Sequence, residues 1–172
     1  MHDESEATAQ GEVPGERAAA GRLREELGDF NSVVCLKAIM TGMEDILGVR
    51  ATAVSLTSAG RIRGKAVFDE MRVSKGEPLE VVTARLNAVL GRDGTRLCVV
   101  DRIERDGEVL LVSTRETVCS AGEEAGSDRK CTYTLGVIWG ALEQVLGKRF
   151  RGVQVESVLR GGSHDVFRFE ER

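Results

Sequence analysis

Aromatic side chains are scarce in this chain: five Phe, one Tyr and one Trp among 172 residues. With few rings to stack on bases, and with Lys and Arg scattered rather than clustered, the sequence argues against a nucleic-acid surface. The core must instead be assembled from Val, Leu, Ile, Ala and Met. No apolar run reaches the ~18 residues that a membrane-spanning helix needs. The four cysteines, at positions 35, 98, 119 and 131, lack Cys-x-x-Cys spacing, so no metal knuckle is written in the sequence. The glycine fingerprint of nicotinamide and flavin sites is absent, as is the Gly-x-x-x-x-Gly-Lys-Ser/Thr phosphate loop. No internal repeat is present, and no cluster of acids and bases suggests proton-transfer chemistry.

What is present is unevenly distributed. Residues 1–30 carry eight acids (Asp3, Glu4, Glu6, Glu12, Glu16, Glu25, Glu26, Asp29) against three arginines, whereas the whole chain has a formal charge of −4. The remainder, 31–172, is thus nearly neutral and long enough for one domain with a sizeable core. The tail is the opposite of a secretory leader's basic start, so a cytoplasmic protein with reduced thiols is expected. Residues 1–14 read as disordered, a short helix is weakly signalled over 15–27, and the tail is a candidate contact for a protein partner.

From residue 31 the apolar period is helical. Asn31 suits an N-cap and Gly48 a stop. Between them Cys35, Ile39, Met43 and Ile46 form one stripe, with Leu36, Met40 and Leu47 beside it, which predicts a helix lying on a core. Residues 50–72 predict a second helix, in which Ala59, Gly60 and Gly64 suit a close helix crossing. Lys75–Pro78 is a break, and Leu79, Val82, Leu86 and Val89 predict a third helix ending at Gly91. From residue 95 the period becomes two, and Asp106-Gly107 between β-rich runs is a strong hairpin signal. A polar loop spans 119–130. Helix 132–146 sets Leu135, Trp139, Leu142 and Leu146 on one face and a Gly136/Gly140 groove on another. Residues 149–158 and 164–171 make a second hairpin across Gly161-Gly162-Ser163. Helices, hairpin, helix, hairpin mean an α+β fold with a helical layer on an antiparallel sheet of about four strands.

Three constellations bear on chemistry. Ser163-His164-Asp165 reads as a polar hairpin tip, since hydrolase triads are assembled from distant positions. Cys119 and Cys131 flank the polar loop and either remain ordinary thiols or approach as a redox pair. Gly60-Arg-Ile-Arg-Gly64 reads first as helix packing with solvated arginines; an arginine pair facing an anionic ligand head group is the alternative.

The order Cys131, an apolar helix with glycines four apart, then a hairpin containing Glu156, resembles the end of the 4-vinyl-reductase domain. That small-molecule and hydrocarbon-binding family is related to the palmitate-holding subunits of the TRAPP transport complex. The resemblance is specific over 131–169 and loose before it. It implies a TRAPP-subunit-like fold over 31–172 and a homodimer, with helix 31–47 as a candidate interface. Family members often hold zinc through a cysteine before the long helix, a glutamate in the next strand, and cysteines three and eleven residues further on. By that count the positions here are Cys131, Glu156, Leu159 and Phe167. Two apolar replacements cannot support a site worth about 10–16 kcal/mol, so no metal and no cofactor are expected. A hydrophobic plug is expected instead, with Glu156 paired to Arg151 or Arg160.

The function implied is non-catalytic binding or carriage of a small hydrophobic ligand, a tetrapyrrole or isoprenoid, between helices and sheet. Met40, Met43, Trp139 and Leu142 are its candidate lining. The alternatives are an accessory role in chlorophyll-type vinyl reduction and a ligand-sensing adaptor acting through a partner.

Overall fold

The computed structural model describes residues 32–172; the acidic tail and the expected Asn31 cap lie outside the described residues. Helix α1 (Val33–Leu47) and helix α2 (Val49–Met71) are separated by one residue, Gly48. Its φ of +80° turns the chain between the helices, a conformation open to glycine and strained for other residues. Helix α3 (Leu79–Leu90) begins directly after Pro78, whose fixed φ suits a helix start. Strands β1 (Val99–Asp106) and β2 (Val109–Arg115) form a hairpin about Gly107. Helix α4 (Thr132–Leu146) and strands β3 (Phe150–Glu156) and β4 (Asp165–Glu171) complete the domain.

The four strands form one antiparallel sheet in the order β1-β2-β4-β3, so the fold is α+β as the period changes imply. The two hairpins meet along β2 and β4, where Val112 faces Phe167 and Leu110 faces Phe169. All four are fully buried. Phe169 packs edge-on against Trp139 of α4 at 6.2 Å and against Phe150 of β3 at 6.5 Å. Each such pair adds about 0.5–1.5 kcal/mol to the burial of the rings. On the other side of the sheet's centre, Asn87 of α3 accepts a hydrogen bond from the Val100 amide of β1 at 3.0 Å.

Helices α2 and α4 touch backbone to backbone. A Cβ placed on Gly60 would collide with the Tyr133 carbonyl and lie 2.9 Å from the Val137 nitrogen. One on Gly64 would collide with the Val137 carbonyl and lie 2.8 Å from Gly140 Cα. The converse holds for Gly136 against Thr57 and for Gly140 against Arg61. The two glycine pairs that the sequence shows separately are therefore the two halves of one crossing. An ion pair borders it: Arg61 donates to Glu143 at 2.7 Å, and its guanidinium lies 4.4 Å over the Trp139 ring. Burial alone would raise the Glu143 carboxyl, but Arg61, the Phe150 amide and the Trp139 indole hold it below its usual range.

Helix α1 corrects one expectation. Its core-facing residue is Met40, 2% exposed, with Leu36 and Met43 half-buried beside it. Cys35 and Ile39 of the expected core stripe are exposed, and Ile46 is 83% exposed. More than half of this helix's circumference is apolar, so periodicity alone does not say which apolar side meets the core. The helix is preceded by Ser32 in extended conformation, with no side-chain cap bond. The second hairpin is also less regular than its pattern implies. Strand β3 stops at Glu156, Ser157 accepts from the Leu159 amide at 3.2 Å, and a 3-10 turn over Val158–Arg160 leads to Gly161.

Gly64→Ala should destabilise the domain by about 2 kcal/mol or more, because overpacking outweighs the gain of about 1 kcal/mol in helix propensity. Gly42→Ala, where an added Cβ meets nothing within 4 Å, should be neutral or stabilising. Urea denaturation midpoints of the two variants check this difference.

Candidate functional site

Two features could bear function, and they lie around the N-terminal end of α4. The first is a buried polar cluster. The Asp165 side chain, fully buried at the start of β4, accepts hydrogen bonds from Thr117 at 2.6 Å and Ser120 at 2.9 Å on one oxygen. Its other oxygen accepts from Gln154 Nε2 at 3.1 Å and from the Val158 amide at 3.3 Å. Gln154 Oε1 in turn accepts from the Cys131 amide at 2.9 Å. The Cys131 sulfur lies 3.3 Å from the Thr117 hydroxyl and 3.4 Å from that of Ser120.

This arrangement differs from the apolar plug expected around Cys131. The β3 residue beside Cys131 is Gln154, while Glu156 is exposed. The cause is an irregularity between the two residues: Gln154 pairs with Phe167, but Glu156 pairs with Val166, one step along β4. The extra residue rotates Glu156 away from the face that Gln154 shares with Phe167. Leu159 and Phe167 are buried core side chains. Glu156 has no ion pair among the described residues, with Arg151 or with Arg160; Arg160 donates to the Ser127 carbonyl at 3.0 Å. The donors that do surround Cys131 do not fit a structural zinc. Both Asp165 oxygens are satisfied by neutral hydrogen-bond donors, and among the described residues no three His, Cys, Asp or Glu side chains converge.

Cys119 and Cys131 do meet within this cluster, both as buried free thiols. A hydrogen bond from Cys131 holds Cys119 down to about 7 against its burial. The same hydrogen bond, together with burial, raises Cys131, which keeps its proton. The loop between them is fastened to α1, with Arg129 bidentate to Glu44 at 2.9 Å and Lys37 paired with Glu123 at 2.5 Å.

The second feature is a cavity of about 200 Å³. Its apolar wall comes from Val33 and Leu36 of α1, Leu90 at the end of α3, Leu97, Val118 after β2, and Val137 of α4. Its polar wall comes from Ser32, Arg63 of α2, Thr95, Arg96 and Tyr133 of α4. Arg63 and Tyr133 are brought to the same wall by the α2–α4 crossing, since Tyr133 sits beside Gly60. Arg63 is anchored on its outer side by Glu70, at 2.6 and 2.9 Å. Burial raises the Tyr133 hydroxyl's pKa, with Arg63 opposing, so the phenol is protonated at neutral pH.

None of Met40, Met43, Trp139 and Leu142 lines this cavity, and neither does any strand residue. Met40 and Leu142 are solid core, and Trp139 is held between the edge-on Phe169 ring and the Arg61 guanidinium. Of the cavity's residues, only Arg63 carries a sequence signal, through its place in Gly60-Arg-Ile-Arg-Gly64. The others come from five separate segments and share no motif.

The hairpin tip holds a third arrangement. Ser163 Oγ lies 2.8 Å from His164 Nδ1, and His164 Nε2 lies 3.1 Å from Asp101 on β1, so the acid in line is Asp101 rather than Asp165. Arg115 holds that same carboxylate at 2.5 and 2.8 Å, and none of the three side chains borders the cavity. The line ties the tip to β1.

No protein-family model matches the chain, and no curated protein is significantly similar to it. Solved structures share its fold. The phenol-responsive sensory domain of the transcription activator PoxR, determined with phenol, gives a TM-score of 0.63 at 13% identity, over 82% of this chain and 75% of that one. Trafficking protein particle complex subunit 3 from Naegleria fowleri, covalently bound to palmitic acid, gives 0.61 at 19% identity, over 81% and 92%. A vinyl-4-reductase family protein from Methanocaldococcus jannaschii gives 0.46 at 17% identity, over 83% and 82%. The α+β architecture implied by the sequence is thus the TRAPP-subunit-like one. At these identities the likeness is one of fold.

Asp165→Ala should destabilise the domain by about 3 kcal/mol or more, because it strands several buried donors at once. Glu156→Ala, on the exposed side of the bulge, should change stability by no more than about 0.5 kcal/mol. Thermal unfolding of both variants, monitored by circular dichroism, checks the contrast.

Proposed function

We propose that this domain binds one compact, ring-sized organic molecule in the cavity between the helices and acts as a non-catalytic sensor or carrier. The observation that carries this reading is the cavity itself, about 200 Å³ and walled by six aliphatic and five polar residues. An apolar protein cavity of about 150 Å³ takes up benzene, so a single ring with one substituent matches this volume. A tetrapyrrole or an extended isoprenoid is larger than this volume. The fold supports the same reading, because one structure that shares it is a phenol-responsive sensory domain determined with phenol. The lining moves accordingly, from Met40, Met43, Trp139 and Leu142 to Leu36, Leu90, Val118, Tyr133 and Val137.

Ligand binding to the folded state should raise the melting temperature. At a single-ring compound concentration about 100-fold above Kd, the gain is about 2.7 kcal/mol, or roughly 5–10 °C for a domain of this size. Leu36→Trp, which fills the cavity from α1, should abolish the shift. A panel of phenol, cresols and benzoate that leaves the melting temperature unmoved would contradict the proposal.

We further propose that the protein is a homodimer joined through α1. Its outward side presents Cys35, Ile39 and Ile46 to solvent along one apolar stripe. On α2, Val54 and Ile62 are exposed as well. A dimer through this face would place the α1 wall of the cavity close to the interface, giving ligand occupancy a route to a partner. Sedimentation velocity should find a dimer, and Ile39→Glu with Ile46→Glu should yield a folded monomer; a monomeric unmodified protein would refute this.

A further inference from the structure

We propose that the cavity selects a ring carrying an anionic substituent, an aromatic carboxylate, held by the Arg63 guanidinium and the Tyr133 hydroxyl. This rests on the cavity being the ligand site. Arg63 lines it, and among the described residues no acidic residue does. The acid that pairs with Arg63 is Glu70, two turns further along α2, 47% exposed and not among the residues lining the cavity. Glu70 fixes the direction of the guanidinium by a two-toothed contact, as a second acid does for a binding-site arginine.

The physics of occupancy then favours an anion. A neutral apolar ring would strip water from the cavity side of Arg63 and Tyr133 and return no hydrogen bond, leaving polar groups dry and unpaired. A carboxylate on the ring accepts from both, while the ring itself lies against Leu36, Leu90 and Val137. Planar guanidinium and planar carboxylate match in shape as well as charge. The close α2–α4 crossing sets the spacing, since the Tyr133 carbonyl abuts Gly60 one turn of α2 from Arg63. The crossing fixes the backbone from which both side chains reach the cavity.

Isothermal titration calorimetry on the full chain with benzoate, its neutral isostere benzamide, and phenol tests the inference. Expected is benzoate binding at least about tenfold tighter than benzamide. Arg63→Gln should remove that preference and leave benzamide affinity nearly unchanged, Arg63→Lys should restore part of it, and Tyr133→Phe should weaken benzoate more than benzamide. Circular dichroism verifies that each variant is folded; the exposed Arg63–Glu70 pair contributes little stability. Benzamide or phenol binding as tightly as benzoate, or an unchanged preference in Arg63→Gln, would overturn the anion selectivity while leaving the ring-sized site in place. Failure of all three compounds to bind would overturn both.

Discussion

The structure depends on a place where two helices have no side chains between them. Gly60 and Gly64 of α2 face Gly136 and Gly140 of α4, and any Cβ there would drive into opposing backbone. Close approach multiplies weak dispersion contacts along the helix pair, and it leaves little freedom for sliding or rotation. Everything attached to either helix is placed by this register. Trp139 and Leu142 are delivered to the sheet, Arg61 to Glu143, and Arg63 to the wall that it shares with Tyr133.

The two ends of α4 do different work. At the C-terminal half the helix is cemented to the sheet by rings and by the Arg61–Glu143–Trp139 group, a buried carboxylate satisfied from three directions. At the N-terminal end, packing gives way to polar contact. There the Asp165 cluster closes the end of the sheet, and the cavity opens beside it between α4 and the N-terminal turn of α1. A cavity is tolerated where the surrounding framework is fixed independently of it, and the glycine crossing and the Asp165 hydrogen bonds supply that framework.

Much of the architecture could be read from the sequence because it is local. The change of period at residue 95, the Asp106-Gly107 turn and the paired glycines each announce an element or a contact type. What could not be read is long-range or rotational. Helix α1 is apolar on both its core and solvent sides, so the spacing of Cys35, Ile39 and Ile46 is compatible with either orientation. Glu156 matched the spacing that the family resemblance implies, yet a single extra residue in β3 turns it outward and sets Gln154 beside Cys131. The acid at the centre of the cluster, Asp165, looked like part of a hairpin tip because its donors, Thr117, Ser120 and Gln154, are scattered through the chain. The cavity was hidden for the same reason: a void has no sequence pattern of its own, only walls contributed by unrelated segments.

The central claim is that this void is the place where a ring is held. A crystal structure of the protein soaked with 4-iodobenzoate, located by the anomalous signal of iodine, addresses it most directly. The expected result is a single strong iodine peak inside the cavity, with the carboxylate toward Arg63 and Tyr133 and the ring against Leu36 and Val137. Iodine found only on the outer surface, with the cavity filled by ordered water or closed by side chains, would contradict the account.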